Sequence, residues 1–396
     1  MPCCRVCQHA TELLLDFGPQ PLCNRFVREA AAAEARHPLR LDQCPACGLL
    51  QLAEPVPAEV LKPPQPMLYN EPEWHLGQLV DRIAALPGVG PDANICGLTY
   101  KEASTIARLR QRGFQNAICL DVRRDLGIQD PAAGVETVQQ QISSGVLSGQ
   151  AARRGRYHVV IARHILEHAH DLQRFVGGLR GLLARGGYLI FEIPDFTASL
   201  LGGNYSTIWE EHVVYFTKAT FPAVLQQLGL AVRELFTYPS ALEDLLVGVT
   251  QVADQGHDSA AQDAGTSTEL IQGRRYAAML PAVRDAWRQA LAGERAAGRQ
   301  VALLGAGHLA IMFLNLLELR DAVDFVVDDD PAKSNGSLPG SRLPVYPSDA
   351  LYERPVRICL MSVAPESESK VQARHRRFLA LGGRLVSIFP GSERAL

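Results

Sequence analysis

The chain has 396 residues, 47% hydrophobic and 20% charged, with 39 lysines and arginines against 42 aspartates and glutamates. That length asks for two or three cores, and a net charge of −3 gives no support for binding nucleic acid or an anionic membrane. No apolar run reaches the roughly 18 residues of a membrane-spanning helix, and the opening "MPCCRVCQHATELLL" lacks the basic-then-apolar layout of a secretory signal. A cytoplasmic protein with no nucleic-acid or membrane partner is expected, its nine cysteines serving as thiols or metal ligands instead of disulfides.

Cys4-x2-Cys7 and Cys44-x2-Cys47 come first, separated by 36 residues. Each pair puts two sulfurs on one tight turn, and four thiolates satisfy a tetrahedral zinc ion. In "CPACG" both Pro45 and Gly48 favour the bend. The site is expected to be structural, because four thiolates leave no open position. Cys3 and Cys23 stand outside it.

From about residue 75 helix and strand patterns alternate. "HLGQLVDRIAALPGVG" has helical spacing, "ANICGL" is a short apolar strand, and "EASTIARLRQRGF" is helical again. "NAICLDV", "YHVVIARHILEH" and "GGYLIFEIPD" supply further strands, with a helix around "DLQRFVGGLRGLLARGG". This order predicts a mostly parallel α/β sheet with ligands at the carboxyl ends of its strands. Asp121, near the end of the second strand, is placed either to hold a ribose or to cap a helix. The layout suggests a class I methyltransferase, a Rossmann-like fold, yet its first turn "CGLTYKEAS" has only Gly97 where several glycines are usual. In "ARHILEHAHD", His164 is three residues from Glu167 and four from His168, so one helical turn would bring them to one face. "WEEHVVYF" then sets Glu210, Glu211 and His212 at the mouth of an apolar stretch, either as a solvated lip or as a general base.

"DQGHDSAAQDAGTSTE" is polar and small-residue rich and is expected to be a loop or linker. "RQVALLGAGHLAIMFLNLLE" follows as strand, glycine turn and helix, and "DFVVDDDP" as the next strand. Gly305 and Gly307 would let backbone approach a diphosphate, and Asp328 ends the second strand. Taken alone this motif would also suit NAD. The expected division is a zinc lobe over 1–68, a methyltransferase-like domain over 69–255, linker and helices over 256–297, and a second Rossmann-like domain over 298–396.

Taken together, the cysteine pairs with "DFGPQPLCNRF", then "ARHILEHAHD", "FEIPD", "EEHVVYF" and "VDDDPAKSNGSLPGSRLPV", resemble the sugar C-methyltransferase family, over nearly the whole chain. The resemblance implies a SAM-dependent (S-adenosylmethionine-dependent) C-methyltransferase acting on a nucleotide-linked ketosugar, with zinc in the N-terminal lobe and the sugar nucleotide held by the C-terminal one. It implies that His212 is the base, that Glu211 orients it and that His168 lies across the substrate. Gly97, Thr99, Asp121 and Arg163 would face the cofactor, and Tyr69, Trp209, Gly305, Gly307 and Asp328 the substrate. Departures mark a divergent branch. Trp209 replaces a usual tyrosine, "TYPSALEDLLVGV" replaces a glycine- and histidine-rich motif, the asparagine-aspartate-glycine turn is missing, and Leu309 and Ile311 replace a lysine and an asparagine. A non-methylating binding paralogue and an NAD-using sugar-nucleotide enzyme are the competing readings.

Overall fold

The computed structural model describes residues 2–28, 33–64, 71–149, 155–253, 263–334 and 336–395. Their strands build three sheets. The first is antiparallel and contains β1 (Glu12–Pro21), β2 (Arg36–Gln43) and β3 (Leu50–Leu52), which β8 (Val214–Tyr215) joins from far along the chain. Leu50 pairs with Tyr215 and Gln51 with Val214. The strand within "WEEHVVYF" is therefore two residues long and belongs to the N-terminal sheet.

The second sheet contains β4 (Ile95–Gly97), β5 (Ala117–Cys119), β6 (Tyr157–Arg163), β7 (Leu183–Pro194), β9 (Leu230–Tyr238) and β10 (Leu245–Val252), in the order β5-β4-β6-β7-β10-β9. Strands β5, β4, β6 and β7 are parallel, whereas β10 runs antiparallel to both neighbours. Alternation along β6 sends Val159 and Ile161 to one face and Val160 and Ala162 to the other, each into a separate buried cluster. Helix Leu76–Ala84 covers the first face because Leu76, Leu79, Val80 and Ile83 form one apolar stripe. Helices Val135–Ser143 and Leu172–Arg180 cover the second. A Cβ on Gly178 would stand 2.8 Å from the Ile142 carbonyl oxygen, so glycine lets these two helices meet. The Leu172–Arg180 helix is shorter than expected, and Leu183 already begins β7.

The third sheet is wholly parallel, with β11 (Gln300–Leu304), β12 (Phe325–Val327), β13 (Val345–Tyr346), β14 (Val356–Met361) and β15 (Arg384–Ser387) in the order β13-β12-β11-β14-β15. Of the expected linker, residues 254–262 lie outside the described residues, and from Asp263 the chain is helical to Ala296. Tertiary contacts explain why this polar run is helical. Glu269 accepts from the Thr217 hydroxyl at 2.9 Å, and Tyr276 stacks on Tyr205 at 4.5 Å between ring centroids. One buried cluster joins all three sheets, with Leu39 and Leu41 of β2, Tyr215 of β8 and Phe196 just past β7 packed against Val301, Leu303 and Val326. Among the described residues no helix is long and apolar enough to cross a membrane.

Candidate functional site

The two cysteine turns are built alike. Cys4 N–H donates to the His9 carbonyl at 2.8 Å and Cys44 N–H to the Leu49 carbonyl at 2.9 Å. In each turn the residue after the second cysteine is left-handed, Gln8 at φ 63° and Gly48 at φ 75°. The sulfurs of Cys4 and Cys47 lie 3.6 Å apart, those of Cys7 and Cys44 3.4 Å, and those of Cys7 and Cys47 3.8 Å. A four-thiolate zinc with bonds of about 2.3 Å sets its sulfurs roughly 3.8 Å apart, so the cluster fits that ion. Thiol hydrogen bonds from Cys44 and Cys47 pull the Cys4 pKa down, while the bond to Cys4 pushes Cys44 up to about 12. A dication is what allows all four to ionise together.

At the carboxyl end of β4 the turn closes on itself. Thr99 caps a single 3-10 turn, Tyr100–Glu102, and the Glu102 carboxylate accepts from Thr99 N–H at 2.6 Å and Arg163 N–H at 2.6 Å. A Cβ on Gly97 would stand 2.5 Å from the Glu102 Cβ, so this glycine makes room for the protein's own side chain. Lys101 Nζ donates to Glu71 at 2.6 Å and to the His164 carbonyl at 3.0 Å. Arg163, 1% exposed, donates to Glu192 at 2.8 Å and to the carbonyls of Lys101 and Pro72. Asp121 is exposed and accepts from the N–H groups of Arg123 and Arg124, 3.0 and 2.8 Å away. Thr99, Asp121 and Arg163, expected to meet SAM, thus each have partners within the protein.

Glu192 holds more than Arg163. It accepts from His75 Nε2 at 2.8 Å and lies 3.2 Å from His164 Nε2. Burial alone would lower the His164 pKa, but Glu71, Glu167 and Glu192 hold it at about 9. This imidazolium is left-handed at φ 47°.

Beside this network lies a cavity of about 270 Å³, lined by His164, Glu167, His168, Trp209, His212 and Glu243, and by His308 from the third domain. A 3-10 turn at Leu166–His168 presents Glu167 and His168, and Val213 N–H donates to the Glu167 carbonyl at 2.8 Å, tying that turn to the β8 entry. The His168 and His212 rings are edge to face at 4.8 Å. His168 Nδ1 is 2.6 Å from Glu136; burial opposes ionisation of that carboxyl, yet the histidine holds its pKa below the usual range. Glu211 is buried and lies with Glu136 and His168 in one cluster, their ligand atoms within 4.8 Å of one another. Burial, then His168, His308, Lys101 and His164, hold the His212 pKa well below 6.5, so its imidazole is neutral at pH 7. Trp209 stacks on His308 at 4.2 Å and 13°. Burial also raises Glu243 to about 8.

In the third domain Gly305 is left-handed at φ 97°, and the helix His308–Leu316 starts without a side-chain cap. Asp328 accepts from Ala306 N–H at 2.8 Å, so this carboxylate braces the glycine turn. Of the expected site residues, His168, His212 and Trp209 share the cavity wall; Gly97, Thr99, Asp121, Arg163, Glu211, Gly305, Gly307 and Asp328 are not among its lining. Tyr69 lies outside the described residues. Cys23, expected to take no part, donates through N–H and thiol to Glu210 at 2.6 and 3.2 Å, locking the N-terminal lobe onto the Trp209–His212 turn. His308, Glu136 and Glu243 were not singled out by the sequence. Only the position of His308 directly after "GAG" gave any signal.

A thiolate cluster, a Rossmann-like sheet with a reversed strand beside its edge, and a second Rossmann-like sheet closing a histidine-rich cavity define a three-part class I methyltransferase. Three family models match in that order: a zinc binding domain over residues 4–61, a methyltransferase domain over 88–235 and a C-methyltransferase C-terminal domain over 259–390. C-methyltransferase NovU of Streptomyces niveus is 26% identical over 404 residues, covering 98% of this chain and 95% of its own. The chain carries these three domains in order and is a SAM-dependent methyltransferase. Among solved structures, the 1,6-didemethyltoxoflavin-N1-methyltransferase of Burkholderia thailandensis is 12% identical with a TM-score of 0.31, over 46% of this chain and 80% of its own. The YcgJ protein of Bacillus subtilis is 10% identical with a TM-score of 0.29, over 45% of this chain and 98% of its own.

Proposed function

We propose that this enzyme methylates a carbon beside a carbonyl, on a nucleotide-linked sugar or a related keto compound, in the cytoplasm, with His212 accepting the proton. The observation that carries this reading is the His212 imidazole on the wall of the cavity, 4.8 Å from the His168 ring and 5.2 Å from the Trp209 ring, where burial holds its pKa well below 6.5. An imidazole kept unprotonated is ready to take an acidic α-proton at neutral pH. Glu167, within 4.8 Å, would stabilise the imidazolium formed, and Glu211 on the same turn would orient the ring. SAM, when bound, supplies the electrophilic methyl group. The uncapped helix at Gly307 supports an anionic substrate, since its first N–H groups attract a diphosphate. Stacking of Trp209 on His308 closes the cavity from the third domain.

Proton abstraction is tested apart from methyl transfer by incubating nucleotide-linked ketosugars in D2O and following exchange at the α-carbon by NMR. Exchange catalysed by the wild type and lost in His212→Gln is expected. Exchange at equal rates with both proteins would remove His212 from the role.

A further inference from the structure

A small recess of about 10 Å³, the space of one water-sized group, is lined by Glu167, His212 and Glu243, with apolar and aromatic side chains completing its wall. The same three residues also line the larger cavity. The polar groups around the recess have different commitments. The Tyr215 hydroxyl is bonded to the Trp209 N–H at 2.9 Å and to the Trp209 carbonyl at 3.0 Å. Glu167 faces the His164 imidazolium, 3.6 Å from its Nδ1, and as a carboxylate can only accept. His212 is the proposed base. Glu243 remains, half-buried and open to both spaces. It sits in the loop between β9 and β10, and that loop is fastened on either side of it. Glu366 of the third domain accepts from Ser240 Oγ at 2.7 Å and from Ala241 N–H at 2.9 Å, and the Asp244 carbonyl accepts from Asp195 N–H at 2.8 Å.

We propose that Glu243 is the acid of this site: its protonated carboxyl donates a hydrogen bond to the substrate carbonyl oxygen while His212 removes the α-proton. The proposal rests on the enolate reading above. The C–H electron pair moves onto the carbonyl oxygen as the proton passes to His212, and the bond from Glu243 strengthens as that oxygen gains charge. Glu243 keeps its own proton throughout. Two carboxyl groups in one recess resist being ionised together, and their surroundings divide the roles. Burial, then Asp195 and Glu167, raise Glu243 to about 8, with His164 and Ser199 pulling the other way, so the carboxyl is neutral at pH 7. Around the larger cavity, Lys101 is paired with Glu71 and His168 with Glu136, burial keeps His308 neutral, and Glu366 is bonded to the loop itself. His164, held at about 9, is the neighbour whose titration would imitate that of Glu243.

The test follows deuterium uptake at the α-carbon of the same nucleotide-linked ketosugars in D2O, without SAM, from pH 6 to 10. Wild-type exchange should fall above about pH 8. Glu243→Leu removes the donor and should slow exchange about 100- to 1,000-fold at pH 7. Glu243→Gln stays neutral and keeps N–H donors, so it should hold exchange within about tenfold at pH 7 and lose the fall near pH 8. Circular dichroism checks folding; if Glu243→Leu does not fold, Glu243→Gln decides alone. Unchanged exchange in folded Glu243→Leu, a fall near pH 8 that survives in Glu243→Gln, or a Glu243→Gln as slow as Glu243→Leu would overturn this role and leave His212 as the base. No exchange by the wild type would overturn both.

Discussion

Replacing Glu192 by glutamine removes one negative charge from the centre of the second domain and leaves volume almost unchanged. Glu192 is fully buried and faces Arg163 at 2.8 Å, His75 at 2.8 Å and His164 at 3.2 Å. Breaking a buried pair by neutralising one partner costs about 3–5 kcal/mol. Arg163 keeps its bonds to the Lys101 and Pro72 carbonyls, which places the loss near the lower end, about 3 kcal/mol. For a domain of 150–250 residues that is a fall in Tm of roughly 6–12 °C. The loss also depends on pH. His164 is raised from 6.5 to about 9, so its charge stabilises the fold fully below pH 6.5, and that contribution is lost as pH rises through 9. The gap between wild type and variant should therefore narrow above pH 9, where His164 is neutral in both. Differential scanning fluorimetry from pH 6 to 10 reads both effects. A fall in Tm under about 2 °C at pH 7, or a gap that widens above pH 9, would refute the reasoning.

The purified protein should contain about one zinc per chain, and Cys44→Ser should release it, as read by elemental analysis. His212→Gln should lower turnover about 100- to 10,000-fold with SAM affinity unchanged by calorimetry. In the wild type the acid limb of kcat/KM should lie below pH 6.5, because protonation disables a base whose pKa is depressed. Gly97→Ala should destabilise by about 1–3 kcal/mol in thermal unfolding, since its Cβ would collide with that of Glu102.

What the sequence made legible was local. Two cysteines on one turn, or an apolar run between helical stretches, announce themselves within a few residues, and the thiolate cluster and strands β4, β6, β7, β11 and β12 follow from such spacing. The antiparallel β9–β10 pair was not read, because no glycine-rich turn marks it. Arg163 and Glu192 stand within "ARHILEHAHD" and "FEIPD", but nothing in those strings says that they pair with each other or that Glu102 joins them. They meet only because parallel strands β4, β6 and β7 end side by side. His308 reaches the cavity through packing between domains, and Glu136 reaches His168 from a helix 32 positions earlier. A polar run became helix because Glu269 and Tyr276 found buried partners.

The pairing of β3 with β8 has a consequence for any attempt to build hybrids from relatives. A cut between residue 61 and residue 95 looks harmless on paper, since it falls between two recognisable modules. It would nevertheless part Leu50 from Tyr215 and Cys23 from Glu210, the contacts that hold the turn bearing His212. A transplanted front end must bring matching β3 and Cys23 positions, or the recipient will keep its shape and lose its aim.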